Sequence, residues 1–264
     1  MKVFDVHGEF FDAGKDIPTQ DIEFNSTPAI DLATAKVTRE IIELRIKYGN
    51  NQSELYKHLE ARKDTELQKA RDTVYNTHLE STRQYSQTAY RFGDYVIKYC
   101  LVPNTATQKK LYEETVKPAD GPDILHRWLQ EFHKEHDAEY LFQVQLCENL
   151  EDQPVEYCGK VWDPEKCKLS SSSFFYWVLI FPLDQWQTVA RLTVPKQDSF
   201  NYALKNFWED RLRVDPWMGL KTLEPLGGPN RLRRVVYPAS SALRRKMNAT
   251  TELNIKSMDE LPVH

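Results

Sequence analysis

The feature that most constrains this chain is a change of hydrophobic period partway along it. After an extended opening with Val3, Phe4, Val6, Ile22 and Phe24 set among polar residues, apolar side chains recur every three to four positions at Ala33, Val37, Ile41 and Leu44. That spacing lines one face of a helix. Thr27-Pro28 suits a helix start and Gly49 a stop, and residues 50–83 read as a charged surface helix pair. The period then falls to two. Tyr95, Ile97, Tyr99 and Leu101 alternate with Val96, Lys98 and Cys100 up to Pro103, which is the signature of a strand. Tyr140–Leu146 and Thr188–Val194 repeat it. Helical patterns follow Gly121-Pro122 and occupy 198–212 and 230–247, the last interrupted by Pro238. Strands and helices do not alternate regularly, so the expected class is α+β with mainly antiparallel pairing.

Composition narrows the possible functions. The 264 residues carry 35 Lys plus Arg against 39 Asp plus Glu, a net charge of −4. That balance argues against a nucleic-acid partner, and 41% hydrophobic residues argue against disorder. Nine glycines are too few for a Gly-rich nucleotide loop. The opening MKVFDVHGEFF has no basic stretch before an apolar core, and Phe174–Leu183 is too short to span a membrane. Cys100, Cys147, Cys158 and Cys167 form no CxxC pair, so free thiols in an intracellular, cytoplasmic protein are expected, with no membrane partner. The C-terminal LPVH is not an SKL-type peroxisomal address.

Two residue clusters carry candidate chemistry. His126, His133 and His136 share one amphipathic helix; two could face a metal, but the interleaved Lys, Glu and Arg suit a solvated face equally. The second cluster is RLRRVVYPASSALRRK (231–246). At helical spacing, Leu232, Val236, Ala239 and Leu243 fall on one side, and Arg233, Tyr237, Ser240 and Arg244 form a neighbouring band. One reading is a basic surface helix with a tyrosine at the core boundary. The other is chemical: a guanidinium one turn from a phenol favours the phenolate, an anionic oxygen ligand for ferric iron.

The segment GGPNRLRRVVYPASSALRRK resembles the proximal haem-ligand helix of catalases, which carries Arg four residues before the ligand Tyr, Pro after it and Arg two turns on. Arg233, Tyr237, Pro238 and Arg244 stand at those places. Ala239-Ser240-Ser241 replaces the usual Asp-Thr-His, which resembles the divergent catalase-related peroxidases and fungal catalase-like proteins. DIEFNSTPAI (21–30) is similar to the segment bearing the distal Asn, here Asn25. YSQTAYRFGDYVIKYCLVP (85–103) and QTVARLTVPKQDSF (187–200) are similar to catalase-type barrel strands.

The resemblance implies an incomplete antiparallel catalase-type β-barrel with flanking helices over residues 1–248, followed by a C-terminal tail, 249–264. It also implies a haem cofactor with Tyr237 as the axial iron ligand. Arg233 would keep that ligand ionised and Arg244 would assist the pocket, with Asn25 on the peroxide side. The implied substrate is hydrogen peroxide or an organic hydroperoxide; a homo-oligomer is left open. The family's distal His lies upstream of the Asn segment, and no matching motif surrounds His7, the only His before Asn25. The expectation is therefore an N-terminally shortened domain whose peroxide turnover is in question, the alternative being a non-enzymatic remnant or passive haem binder. CKLSSSSFFYWVLIFPLDQW (167–186) exceeds the family's short connection and reads as an insertion.

Overall fold

A computed structural model describes residues 1–11, 15, 17–70, 74–162 and 186–261. Its centre is a five-stranded antiparallel sheet. The two strands with the clearest alternation, β5 (Tyr95–Pro103) and β6 (Ala138–Leu146), pair from Ile97↔Leu146 to Pro103↔Tyr140. Strand β7 (Gln187–Val194) joins the far side of β6, with a register shift at Phe142/Gln143. Two short strands share the other edge of β5: β3 (Gln84–Tyr85) near its end and β4 (Tyr90–Phe92) near its start. A separate ribbon pairs β1 (Lys2–Val3) with β2 (Gln20–Asp21).

Period two gives the sheet two different faces. One carries Tyr90, Ile97, Tyr99 and Val144, with Phe24 and Phe142 packed against them. Phe24 meets Tyr99 edge-on at 5.4 Å, and Tyr99 stacks on Phe142 at 5.4 Å. Aromatic pairs of this kind add about 0.5–1.5 kcal/mol each beyond area burial. The opposite face buries polar groups, including Lys98, Gln143 and Gln145. The Lys98 ammonium donates to the Lys160 carbonyl at 3.2 Å and lies over the Trp162 ring, and burial pulls its pKa down to about 8.

The helices surround this sheet. Helix α1 (Ala35–Tyr48) begins later than Thr27-Pro28 suggests, because Thr34 Oγ1 accepts the Val37 N–H as N-cap while Asn25 pairs with Tyr85 as a β-bridge. Helices α2 (Gln52–Glu60) and α3 (Thr65–Ala70) follow, but residues 74–78 are not helical: Thr77 bridges to Thr115 instead. Helix α4 (Ala106–Leu111) opens on a Thr105/Gln108 capping box. Helix α5 (Ile124–Glu135) buries Ile124, Phe132 and His133. The 198–212 stretch is a short α6 (Tyr202–Asn206) running into one π-helical turn, Phe207–Arg211.

Helix α7 (Gly228–Met247) is continuous through Pro238. A proline costs one ladder hydrogen bond, and tertiary contacts at both ends of this 20-residue helix hold it together. Gly227 precedes it at φ +87°, and a Cβ there would lie 2.4 Å from the Val155 carbonyl. Residues 249–261 fold back, placing Ile255 against Phe207 and Leu212.

The α+β class with antiparallel sheets matches the sequence reading. Among the described residues the sheet is open rather than closed into a barrel. No helix among them is long and apolar enough to cross a membrane. The 167–186 stretch, expected from the sequence to be an insertion, lies outside the described residues except for Trp186.

Candidate functional site

A cleft of about 440 Å³ opens between the segment after β2, the β3–β4 connection and α7. Its polar walls include Glu23, Asn25, Gln84, Ser86, Arg233 and Tyr237, and its apolar walls Ile22, Phe24 and Val214. An extended chain puts alternate residues on the same side. Residues 21–25 run this way: the polar groups of Glu23 and Asn25 reach the cleft, while Ile22 and Phe24 pack against the aromatic core and border the cleft with part of their surface. The segment is pinned by reciprocal Asn25–Tyr85 backbone hydrogen bonds of 2.8 and 2.7 Å, and by the Tyr99 hydroxyl donating to the Glu23 carbonyl at 3.0 Å.

The structure therefore brings together three of the four residues picked from the sequence. Tyr237 Oη donates to Glu23 Oε2 at 3.2 Å. Arg233 Nη1 stands 3.7 Å from the same oxygen, and its guanidinium carbon lies 5.9 Å from the Tyr237 ring centre. Asn25, exposed at the rim, accepts the Ser26 N–H on Oδ1 at 2.8 Å. Arg244 is not brought to the cleft. It is exposed, and its Nη2 donates to the Leu212 carbonyl at 3.4 Å.

The electrostatics modify the expected effect of Arg233. The guanidinium does pull the Tyr237 pKa down. Burial of the phenol, together with the charge and hydrogen bond of Glu23, outweighs it, and the group is pushed up to about 12. Glu23 is itself raised above the ordinary carboxylate value, chiefly by burial and against the pull of Arg233. Tyr237 therefore keeps its proton at neutral pH.

Glu23 escaped the sequence reading, although one signal was present: it stands two residues before Asn25, on the same side of an extended segment. Asn230 also escaped. It is fully buried and joins Arg233 to the β3–β4 connection. Its partners on that connection, Thr88 and Ala89, lie 142 and 141 residues away in the chain, so no local pattern marks them.

The histidines do not converge. His126 packs edge-on against Phe200, His133 is buried in α5, and His136 is the C-cap of that helix. His7 is exposed and does not line the cleft. Among the described residues, no group of three or more His, Cys, Asp or Glu side chains is placed to hold a metal ion.

Neither a family model nor a curated protein matches the sequence. Solved structures do match. A fungal catalase superposes with a TM-score of 0.57 at 14% identity, over 87% of this chain and 46% of that one. Catalase A from Saccharomyces cerevisiae gives 0.56 at 15%, over 86% and 46%. A bacterial catalase gives 0.58 at 11%, over 88% and 45%. The chain thus has a catalase-like fold and spans less than half the length of the catalases it matches.

Proposed function

We propose that this chain is a catalase-like haem protein directed at hydrogen peroxide or an organic hydroperoxide, and that its open sheet is part of a catalase-type barrel. The observation that carries this reading is the single cleft shared by Tyr237, Arg233 and Asn25. Arg233 and Tyr237 come from one helical motif and Asn25 from a separate motif near the other end of the chain.

The residues present fit haem at the ligand position. Tyr237 offers one phenol oxygen to the cleft, Arg233 offers a cation beside it, and the volume is that of a small-molecule site. When bound, haem supplies the iron redox chemistry. Tyr237 would hold it by exchanging the phenolic proton for the metal, and Arg233 would balance the resulting anion. Asn25 would orient a peroxide by hydrogen bonding. It carries no titratable proton, so it performs no acid–base step at neutral pH.

A second reading, a haem binder without turnover, draws on the cleft wall itself. The titratable side chains lining it are Glu23, Arg233 and Tyr237, and Glu23 already accepts a hydrogen bond from Tyr237. Titration with haemin separates the readings. The ferric-tyrosinate absorption is expected in the wild type and absent in Tyr237→Phe; an unchanged spectrum in the variant removes Tyr237 from its role. Oxygen release from peroxide by the loaded wild type supports the enzyme, and a tyrosinate spectrum without it supports the passive binder.

A further inference from the structure

We infer that Asn230 is the positioning residue that holds Arg233 toward Tyr237, an inference that rests on the reading of Tyr237 as the residue that would hold a haem iron. Asn230 stands in the first turn of α7 and is fully buried. Its Nδ2 lies 2.9 Å from the Leu226 carbonyl, 3.1 Å from Thr88 Oγ1 and 3.3 Å from the Ala89 carbonyl. Its Oδ1 accepts from Arg233 Nη1 at 3.0 Å. Its own carbonyl accepts the Trp217 indole N–H at 2.7 Å.

Chemistry fixes which way this amide points. The two backbone carbonyls can only accept, so they face the NH₂ end. A guanidinium can only donate, so Arg233 faces the oxygen. The flipped amide would lose all three contacts. The Asn230 oxygen is thus aimed at Arg233 by groups on two other segments of the chain, the β3–β4 connection and the loop before α7.

Arg233 needs such a hold. Its long side chain has two competing attractions in the cleft, Glu23 at 3.7 Å and the Tyr237 ring. An untethered guanidinium would close on the carboxylate, the stronger charge-assisted partner, and leave the phenol. A neutral amide holds it back without drawing off its charge. A buried carboxylate in the same place would partly neutralise it.

The test starts with the ligand-free full chain. The Arg233 guanidinium NMR signals, assigned by their loss in Arg233→Lys, are expected to show separate Nη resonances in the wild type. In Asn230→Ala they are expected to average into one. Haemin dissociation then gives a double-mutant cycle with Arg233→Leu. Asn230→Ala should speed dissociation by about tenfold, as losing a residue that orients a ligand's partner typically does. It should add less than twofold in the Arg233→Leu background.

Equal effects in both backgrounds, or unaveraged Arg233 signals in Asn230→Ala, overturn the proposal. If Asn230→Ala does not fold, Asn230→Ser decides. Its hydroxyl can still donate to a neighbouring carbonyl and is too short to reach Arg233 as the amide oxygen does, so averaged Nη signals support positioning through the oxygen, and resolved signals refute it. Failure of the haem reading shows separately, as an unchanged haemin spectrum in Tyr237→Phe, and does not touch the Arg233 signals.

Discussion

The two halves of α7 use similar residues to opposite ends. In the first half, Arg233 and Tyr237 face a cleft and share Glu23, whose carboxylate also borders open volume. In the second half, Arg245 bridges Ser241 Oγ and Glu252 Oε2, each at 2.6 Å, in a closed ion pair, while Arg244 stands in solvent. An arginine on a helix thus takes its role from what the tertiary fold places opposite it. Arg233 has a counter-ion that is itself bonded to a phenol in a cavity; Arg245 has a counter-ion that fixes the chain's return after the helix.

The largest expected effect is at Arg233. Its side chain and that of Glu23 are only 16% and 22% exposed. Removing the cation leaves a mostly buried carboxylate uncompensated, which costs about 3–5 kcal/mol for fully buried pairs and about 2 kcal/mol after allowing for this exposure. Arg233→Leu should therefore unfold at a lower urea midpoint at pH 7.5. The deficit should shrink as the pH falls toward 4.5. Burial already raises Glu23, with Arg233 pulling it down; without Arg233 it rises further. A group raised in the folded state contributes its stability below the unfolded pKa and loses it as the pH rises. Acid therefore favours the variant relative to wild type. A deficit that stays constant between the two pH values would show that Arg233 and Glu23 do not interact.

Much of this arrangement is legible in the sequence because it is local. Alternation along 95–103 and 140–146 gives β5 and β6, and the Arg233–Tyr237 spacing gives one helical turn. Asn25 is reached through a motif. What was not legible depends on long-range closure. Glu23 meets Tyr237 across 214 positions, and Asn230 meets Thr88 across 142. The helical band also misplaced its last member. Arg244 follows Tyr237 by seven residues and shares its side of an isolated helix, but the buried side of α7 near its end runs through Ser241 and Arg245. Local periodicity fixes which residues are neighbours on a helix, and it says nothing of which neighbour the rest of the chain covers.

Arg245→Leu sharpens the comparison with a smaller effect. The change breaks the contacts to Ser241 and Glu252. It also removes two buried guanidinium nitrogens, Nε and Nη2, that have no hydrogen-bond partner. Their desolvation already weakens the native site, and an apolar replacement recovers part of it. A net loss of about 1 kcal/mol is expected, with haemin dissociation unchanged because the cleft is not involved. A loss as large as that of Arg233→Leu would mean that the closed pair is the main anchor of α7.

The smallest effect belongs to Arg244, and it is the most direct way to break the comparison. Its guanidinium makes one hydrogen bond to the Leu212 carbonyl, at 3.4 Å, near the limit at which such a contact counts. It is exposed, so most of what it donates is available from water. It stands in the last turn of α7, where a cation gains a few tenths of a kcal/mol from the helix dipole. Arg244→Leu should therefore change stability by less than about 0.5 kcal/mol, the usual range for surface substitutions. Haemin dissociation should stay within about threefold of wild type, against the much larger change expected for Arg233→Leu. Loss of haemin from Arg244→Leu as fast as from Arg233→Leu would place both arginines in one functional unit, and the division of α7 into a cleft-facing half and a structural half would fall.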